Sequence, residues 1–417
     1  MKRFILKTTG ILFAFSLIFT SCLKDDCSLK RTFYRYDPIY KSLSQIRSGL
    51  KLVDEKDLKV PGKIYIYGTL LLINEIKEGI HIFNNENPDN PIKLNFISIP
   101  GNVDLSVRNG ILYADSYVDL LSININDPEN PTLLCRTENV YSPIFFDPVR
   151  GLLVDYSKTK ETITLDCHSQ NFSSFRFWSG DIVFDSNSKT SSNSAGNFTG
   201  LTGIGGSMAR FTINENYLYT VDMTSLYSFD IGTSCPDLKT KSQIGWNIET
   251  IYPYENKLFI GSTSGMFIYS LTNPDAPTLA GNMNHWRSCD PVVVKDDLAY
   301  ITLHGGTECG GFTNQLDIVN VKDIYNPTLL KTIAMEYPLG LAVKNEYLYI
   351  CDRDLKIYRI NGNTEIQLVS SIPQMNPYDV IVMPNENNII LVSETGITQY
   401  DSKSPAQLIL RSIIPVK

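Results

Sequence analysis

Two groups of side chains in this 417-residue sequence have types and spacings that could do chemistry. The first is His285-x3-Cys289 with His304-x4-Cys309, a set of two nitrogens and two sulfurs that suits tetrahedral zinc. A Cys289–Cys309 disulfide is the competing use, because it consumes the thiolates that zinc needs. The second group is charged and recurs along the chain: Asp104, Arg210, Glu249, Asp290 and Asp379, then Asp115, Asp119, Asp222, Asp352 and Arg353. Gathered on one face with His304, these residues would favour cations, cationic groups or hydroxyl-rich ligands. Carboxylate pairs such as Asp104 with Glu249 or Asp290 could also act as acid and base, with calcium between them. The sequence contains no nucleophile elbow, phosphate-cradling glycine loop, zinc-protease helix or EF-hand loop. No cofactor is therefore expected, zinc and calcium being the alternatives, and no catalytic residue is assigned.

What must position these residues is a repeat. A polar turn followed by an apolar strand recurs at Leu71-Leu72, Leu112-Tyr113, Leu152-Leu153, Leu218-Tyr219, Leu258-Phe259, Ala299-Tyr300, Leu348-Tyr349 and Ile390-Leu391, with spacings of 41, 40, 66, 40, 41, 49 and 42. Each unit holds four short runs of period-two alternation, rich in β-branched and aromatic residues. Proline-bracketed turns such as Asn87-Pro88-Asp89-Asn90-Pro91 separate the third run from the fourth, since proline cannot donate to a ladder. Four strands per 40-residue unit predict an all-β propeller over 62–417. Eight units are counted; the third (143–179) is degenerate, so seven blades with an irregular insert is the alternative.

In such a blade, the loops between blades and those between second and third strands share one face, the top. The charged residues above fall there, as do two insertions, 178–207 and 304–315, and this is the face expected to bind. Leu43, Ile46, Leu50 and Val53 are spaced near helix period, which predicts a short helix within 40–53 ahead of the propeller. Cys167 with Cys235 is a second disulfide candidate, while Cys135 and Cys351 read as buried thiols.

Gly79-Ile80-His81-Ile82-Phe83, Gly265-Met266-Phe267-Ile268-Tyr269 and Leu316-Asp317-Ile318-Val319-Asn320, with the Asn-Pro-x-x-Pro turns, resemble the LVIVD repeat family of bacterial surface propellers. That resemblance covers about the last 350 residues. It implies a propeller on a secreted or lipid-anchored protein and leaves the activity open.

The N-terminus has a basic start, an apolar run of about ten residues and Phe19-Thr20-Ser21-Cys22. The run is too short to span a bilayer, which takes about 20 residues. It resembles a bacterial lipoprotein signal (1–21) with Cys22 as the acylated residue and 22–61 as tether and helix. Leu23-Lys24-Asp25-Asp26 resembles the acidic export tag of Bacteroidetes surface lipoproteins. Removing Lys2, Arg3 and Lys7 with the signal leaves 34 bases against 44 acids, which excludes a basic nucleic-acid footprint. The expectation is an outer-membrane, surface-exposed monomer. It touches the membrane only through its lipid and binds a protein or glycan; a funnel hydrolase or lyase is the alternative.

Overall fold

The computed structural model describes residues 28–53, 56–166, 192–193, 202–207, 209–284, 291–305, 314–362, 364–373, 376–383 and 386–417. The chain divides into two compact units, 40–153 with 185–417 and 1–39 with 154–184.

The larger unit is built from antiparallel four-stranded meanders at 61–98, 105–137, 211–243, 248–284, 292–334, 338–372 and 377–415, here blades 1 to 7. Local chemistry sets each turn. Asn109 (φ 49°) and Gly110 (φ 72°) occupy the left-handed region that a two-residue hairpin requires. In the proline-bracketed turns a side chain two residues upstream fixes the backbone: Asp89 N–H donates to Asn87 Oδ1 at 3.1 Å and Glu129 N–H to Asp127 Oδ1 at 3.1 Å. Tyr113, Tyr219, Tyr300 and Tyr349, which share one repeat position, are all buried.

Consecutive blades share hydrophobic cores, and the last shares one with the first. Ile64 and Ile73 of blade 1 pack with Ile381 and Val392 of blade 7, and Leu72 and Ile80 with Leu105 and Leu112 of blade 2. Tyr113 and Leu120 of blade 2 pack directly with Phe211 and Leu218 of blade 3. The joint between neighbours also repeats. A side chain of one blade donates to a turn carbonyl of the next: Asn95 to Pro128 O at 2.9 Å, Thr137 to Pro236 O at 3.3 Å, Ser228 to Pro274 O at 2.7 Å and Ser412 to Pro88 O at 2.6 Å. The last of these links blade 7 to blade 1. The ring therefore closes without strand exchange between the termini.

The all-β propeller of four-stranded blades is thus borne out, and among the described residues eight sheets are present for the eight repeat units. Seven of those sheets carry the blade meander. The third unit does not: its strand Gly151–Asp166 lies between Ser28–Lys41 and Phe146–Asp147 in a three-stranded sheet. Blade 3 consequently follows blade 2 directly. Most of the two long strands belongs to the smaller unit, so 154–166 leaves the propeller expected over 62–417. In that unit Val154 is buried, Tyr34 and Tyr36 are exposed, and the Lys158 ammonium sits 4.4 Å from the Tyr34 ring.

Blade 1 gains strands on both edges. Lys51–Val53 pairs with its outermost strand, while Ile204–Ser207 pairs with its innermost, and Ser192–Asn193 pairs with Ile204–Ser207 in turn. The expected helix is shorter than its apolar spacing suggests. It covers Leu43–Arg47, with Ser42 and Gln45 forming a capping box and Ile46 buried. Ser48-Gly49 ends it, and Val53, on the same predicted stripe, is spent on a strand.

Candidate functional site

One register position links the blades. Lys63, Asp104, Arg210, Thr250, Pro291, Gly340 and Asp379 each precede the inner-strand residue that pairs with the second strand at Ile73, Ala114, Thr220, Ile260, Ile301, Ile350 and Leu391. All lie at the end of the ring where inner strands begin, the top. Asp104, Arg210 and Asp379 are therefore placed as the repeat predicts. Glu249 is one residue out of register, and Thr250 takes the position. Asp290 lies outside the described residues, as do Cys22, Cys167, His285, Cys289 and Cys309 and most of both insertions.

Sequence reasoning missed Lys63, which is 3% exposed. The same register offset that marked Asp104 would have found it. Burial drives its ammonium down to about 7; Arg210 adds to this, while Asp104, Asp379 and Asp115 oppose it. The expected acidic ring is thus an alternation along blades 7, 1, 2 and 3: Asp379, Lys63, Asp104, Arg210. Charge of both signs removes the strong cation preference that carboxylates alone would give.

Most of the predicted carboxylates have structural partners. Asp104 accepts from Phe211 N–H at 3.2 Å, from Arg210 N–H and from Leu105 N–H at 2.7 Å, so it ties blade 2 to the start of blade 3. Burial raises its pKa against the pull of Lys63. Asp115 accepts from Val103 N–H at 2.8 Å and Asp104 N–H at 3.0 Å, and burial pushes it up to about 6. Asp119 holds the N-terminal helix: Arg47 Nε and Nη2 donate to it at 2.9 and 3.0 Å, Arg136 at 3.1 Å and Asn139 N–H at 3.0 Å. Burial would raise Asp119, but those donors outweigh it and leave the carboxyl below its ordinary range. Asp222 fixes its own turn through Thr224 and Ser225 N–H, each at 2.8 Å. Asp352 accepts from Glu336 N–H at 3.0 Å and from Lys356 at 2.9 Å. His304 is buried beneath Tyr337 in an edge-on contact with centroids 5.3 Å apart, and burial lowers its pKa to about 4.

Inside the ring, Ile204–Ser207 runs along the inner strands of several blades. Gly203 N–H donates to Val107 O of blade 2 at 3.0 Å, Gly205 pairs with Tyr65 of blade 1, and Leu341 N–H of blade 6 donates to Ser207 Oγ at 2.8 Å. The described end of the 178–207 insertion therefore occupies the channel, where a top-face loop was expected. The packing is close: a Cβ at Gly203 would lie 2.1 Å from the Tyr65 ring.

Large side chains, none of them in the predicted charged set except Arg353, face solvent in the top loops. Trp246 is 72% exposed and Met223 53%. Ile248 N–H donates to Met223 O at 3.1 Å, so the two loops are adjacent. Tyr337 and Arg353 are exposed at the blade 6 end of the same face.

The cysteines differ from expectation. Cys235 pairs with Cys135, Cα atoms 5.3 Å apart, so neither the Cys167–Cys235 pairing nor a thiol at Cys135 holds. Loss of the third blade puts the outer strand of blade 2 against the turn before the last strand of blade 3, at the Thr137–Pro236 joint. Cys351 is a buried thiol, as expected.

No family model matches the chain, and no curated protein matches it. Among solved structures, it is similar to a functionally unknown protein from Desulfotomaculum acetoxidans (TM-score 0.51, 10% identity, 85% of this chain and 96% of that one). It is also similar to a putative 6-phosphogluconolactonase from Bacteroides fragilis (TM-score 0.50, 12% identity, 86% and 95%) and to the computationally designed Ika8 protein (TM-score 0.50, 9% identity, 85% and 87%). At such identities the likeness concerns the fold alone.

Proposed function

We propose that this chain is an exported, lipid-anchored propeller of the LVIVD-repeat kind that recognises a protein or glycan through its top loops. The observation that carries this reading is the division of labour on that face. Asp104, Asp119, Asp222 and Asp352 are engaged in holding backbone amides and neighbouring cations, whereas Trp246, Met223, Tyr337 and Arg353 stand in solvent. Tryptophan, tyrosine, methionine and arginine are the residues enriched at recognition surfaces. The Cys135–Cys235 bridge supports export, because disulfides persist in oxidising compartments. Display on the outer membrane through Cys22 rests on the signal and the acidic tag.

The acid–base alternative needs an accessible funnel. Here a strand lies along the inner edge of the ring, and the register position of blade 4 holds Thr250 instead of Glu249.

The test is capture of the partner from intact cells by purified protein. Trp246→Ala with Met223→Ala should lower capture about tenfold, the loss expected of a central hot spot, with the thermal midpoint unchanged. Undiminished capture by the double variant would remove the top loops as the recognition surface.

A further inference from the structure

A second group of exposed apolar side chains follows the outer strand of blade 2. In the segment joining blade 2 to Gly151–Asp166, Ile144 is 73% exposed, Phe145 51%, Phe146 49% and Val149 93%. Four large apolar side chains within six residues, one of them on the short strand Phe146–Asp147, are a costly thing to leave in water, and such patches mark contact sites. The loop is held in shape. Asp147 accepts from Val149 and Arg150 N–H, each at 2.9 Å, and pairs with the Arg150 guanidinium at 2.8 Å. Arg150 in turn stacks 4.0 Å from the Tyr40 ring, and Tyr40 meets Phe145 edge-on at 6.4 Å.

Tyr40 is where the chain arriving from the N-terminus enters the larger unit. Eighteen residues separate it from Cys22, a reach of at most ~65 Å. Beside Tyr40 in the larger unit stand two cations, Lys41 next to it in the chain and Arg150 on its ring, on a chain that is acidic overall. An acyl anchor at Cys22 would thus hold this edge of the unit near a bilayer, and the chemistry at the edge is that of the membrane interface: apolar side chains to insert, with an aromatic ring and a cation at headgroup depth.

We propose that the 144–149 loop is a membrane-contacting element that seats the larger unit on a phospholipid surface. The choice of a bilayer as the occupant rests on the lipid-anchor reading above.

The test uses the mature chain from residue 22, which contains every described residue, with Cys22→Ser so that no acyl chain contributes. It should sediment with vesicles of phosphatidylethanolamine and phosphatidylglycerol. Phe145→Ser with Phe146→Ser, and separately Val149→Asp, should each lower the partition coefficient at least tenfold, and Val149→Asp, at a side chain 93% exposed, should leave the thermal midpoint unchanged. Failure of the parent to sediment, or equal sedimentation of the variants, would overturn the proposal. So would a vesicle-independent dimer that the same substitutions dissolve, since the occupant would then be a second copy. The mass of the N-terminal peptide of protein from its own cells tests the anchor separately. An unmodified Cys22 beside intact vesicle binding would sink the anchor and leave the loop.

Discussion

Buried ionisable groups at the top of the ring make stability depend on pH in opposite directions. His304 titrates at about 4 when folded and near 6.5 when unfolded, so between those values only the unfolded chain takes the proton. Stability contributed by neutral His304 is therefore complete above pH 6.5 and is lost as pH falls towards 4. Asp115, raised to about 6, works the other way: over the overlapping window the folded state binds the extra proton and gains. Lys63, lowered to about 7, penalises folding fully below that pH and less as pH climbs towards 10.5. Denaturant midpoints measured from pH 7 down to 4 should fall less steeply for His304→Gln than for the parent; parallel curves would show that His304 does not titrate in that window. At this scale the sequence was partly legible. Repeat register placed Asp104 and Asp379 at the top, but acidity was read as ligand chemistry because nothing in a lone aspartate reveals that two backbone amides of the next blade, over a hundred residues on, will occupy it. Lys63 was overlooked although it follows the same register.

Elements whose partners are close in sequence were readable, and those with distant partners were not. Hairpins and proline-bracketed turns announce themselves through Asn-Gly and Asx chemistry within four residues. Thr202 to Ser207 carries no alternation, and its partners are Tyr65 and Ile66, Val107 and Leu341. Gly151–Asp166 has the Leu-Leu start of a blade strand, yet pairs with residues 28–41, which its own sequence could not disclose. The disulfide follows from the same displacement, for Cys135 and Cys235 are 100 residues apart and meet only because one blade is missing between them. The channel strand should tolerate little added volume. At Gly203 a side chain would meet the Tyr65 ring at 2.1 Å and Ile66 O at 2.5 Å. Gly203→Val is expected to cost about 1–3 kcal/mol through overpacking and to raise amide exchange at Gly205. An unchanged denaturant midpoint with unchanged exchange would mean that the strand does not pack where the inner edges of blades 1 and 2 leave room for it.

A ring whose first and last blades each use their own four strands must hold its seam by other means. Blade 7 reaches blade 1 through reciprocal amides, Asn85 Nδ2 to Gln399 Oε1 at 3.1 Å and Gln399 Nε2 to Asn85 Oδ1 at 2.6 Å, with Asn388 donating to the same Oε1 at 2.9 Å. Tyr378 Oη donates to Pro61 O at 2.6 Å, and Lys417 N–H to Leu58 O at 2.9 Å. Behind these lies the shared apolar core of Ile64, Ile73, Ile381 and Val392. Gln399→Leu removes the hub of the amide cluster and strands the buried Asn388, at a cost of roughly 1–3 kcal/mol for each polar group left unpaired. Because no covalent continuity crosses the seam, that loss should be felt locally: hydrogen exchange should rise in the strands of blades 1 and 7 before it rises in blades 3 to 5, whose joints are untouched. A uniform rise across all seven blades would instead mean that the ring opens as one cooperative body and that closure is carried by the apolar core alone.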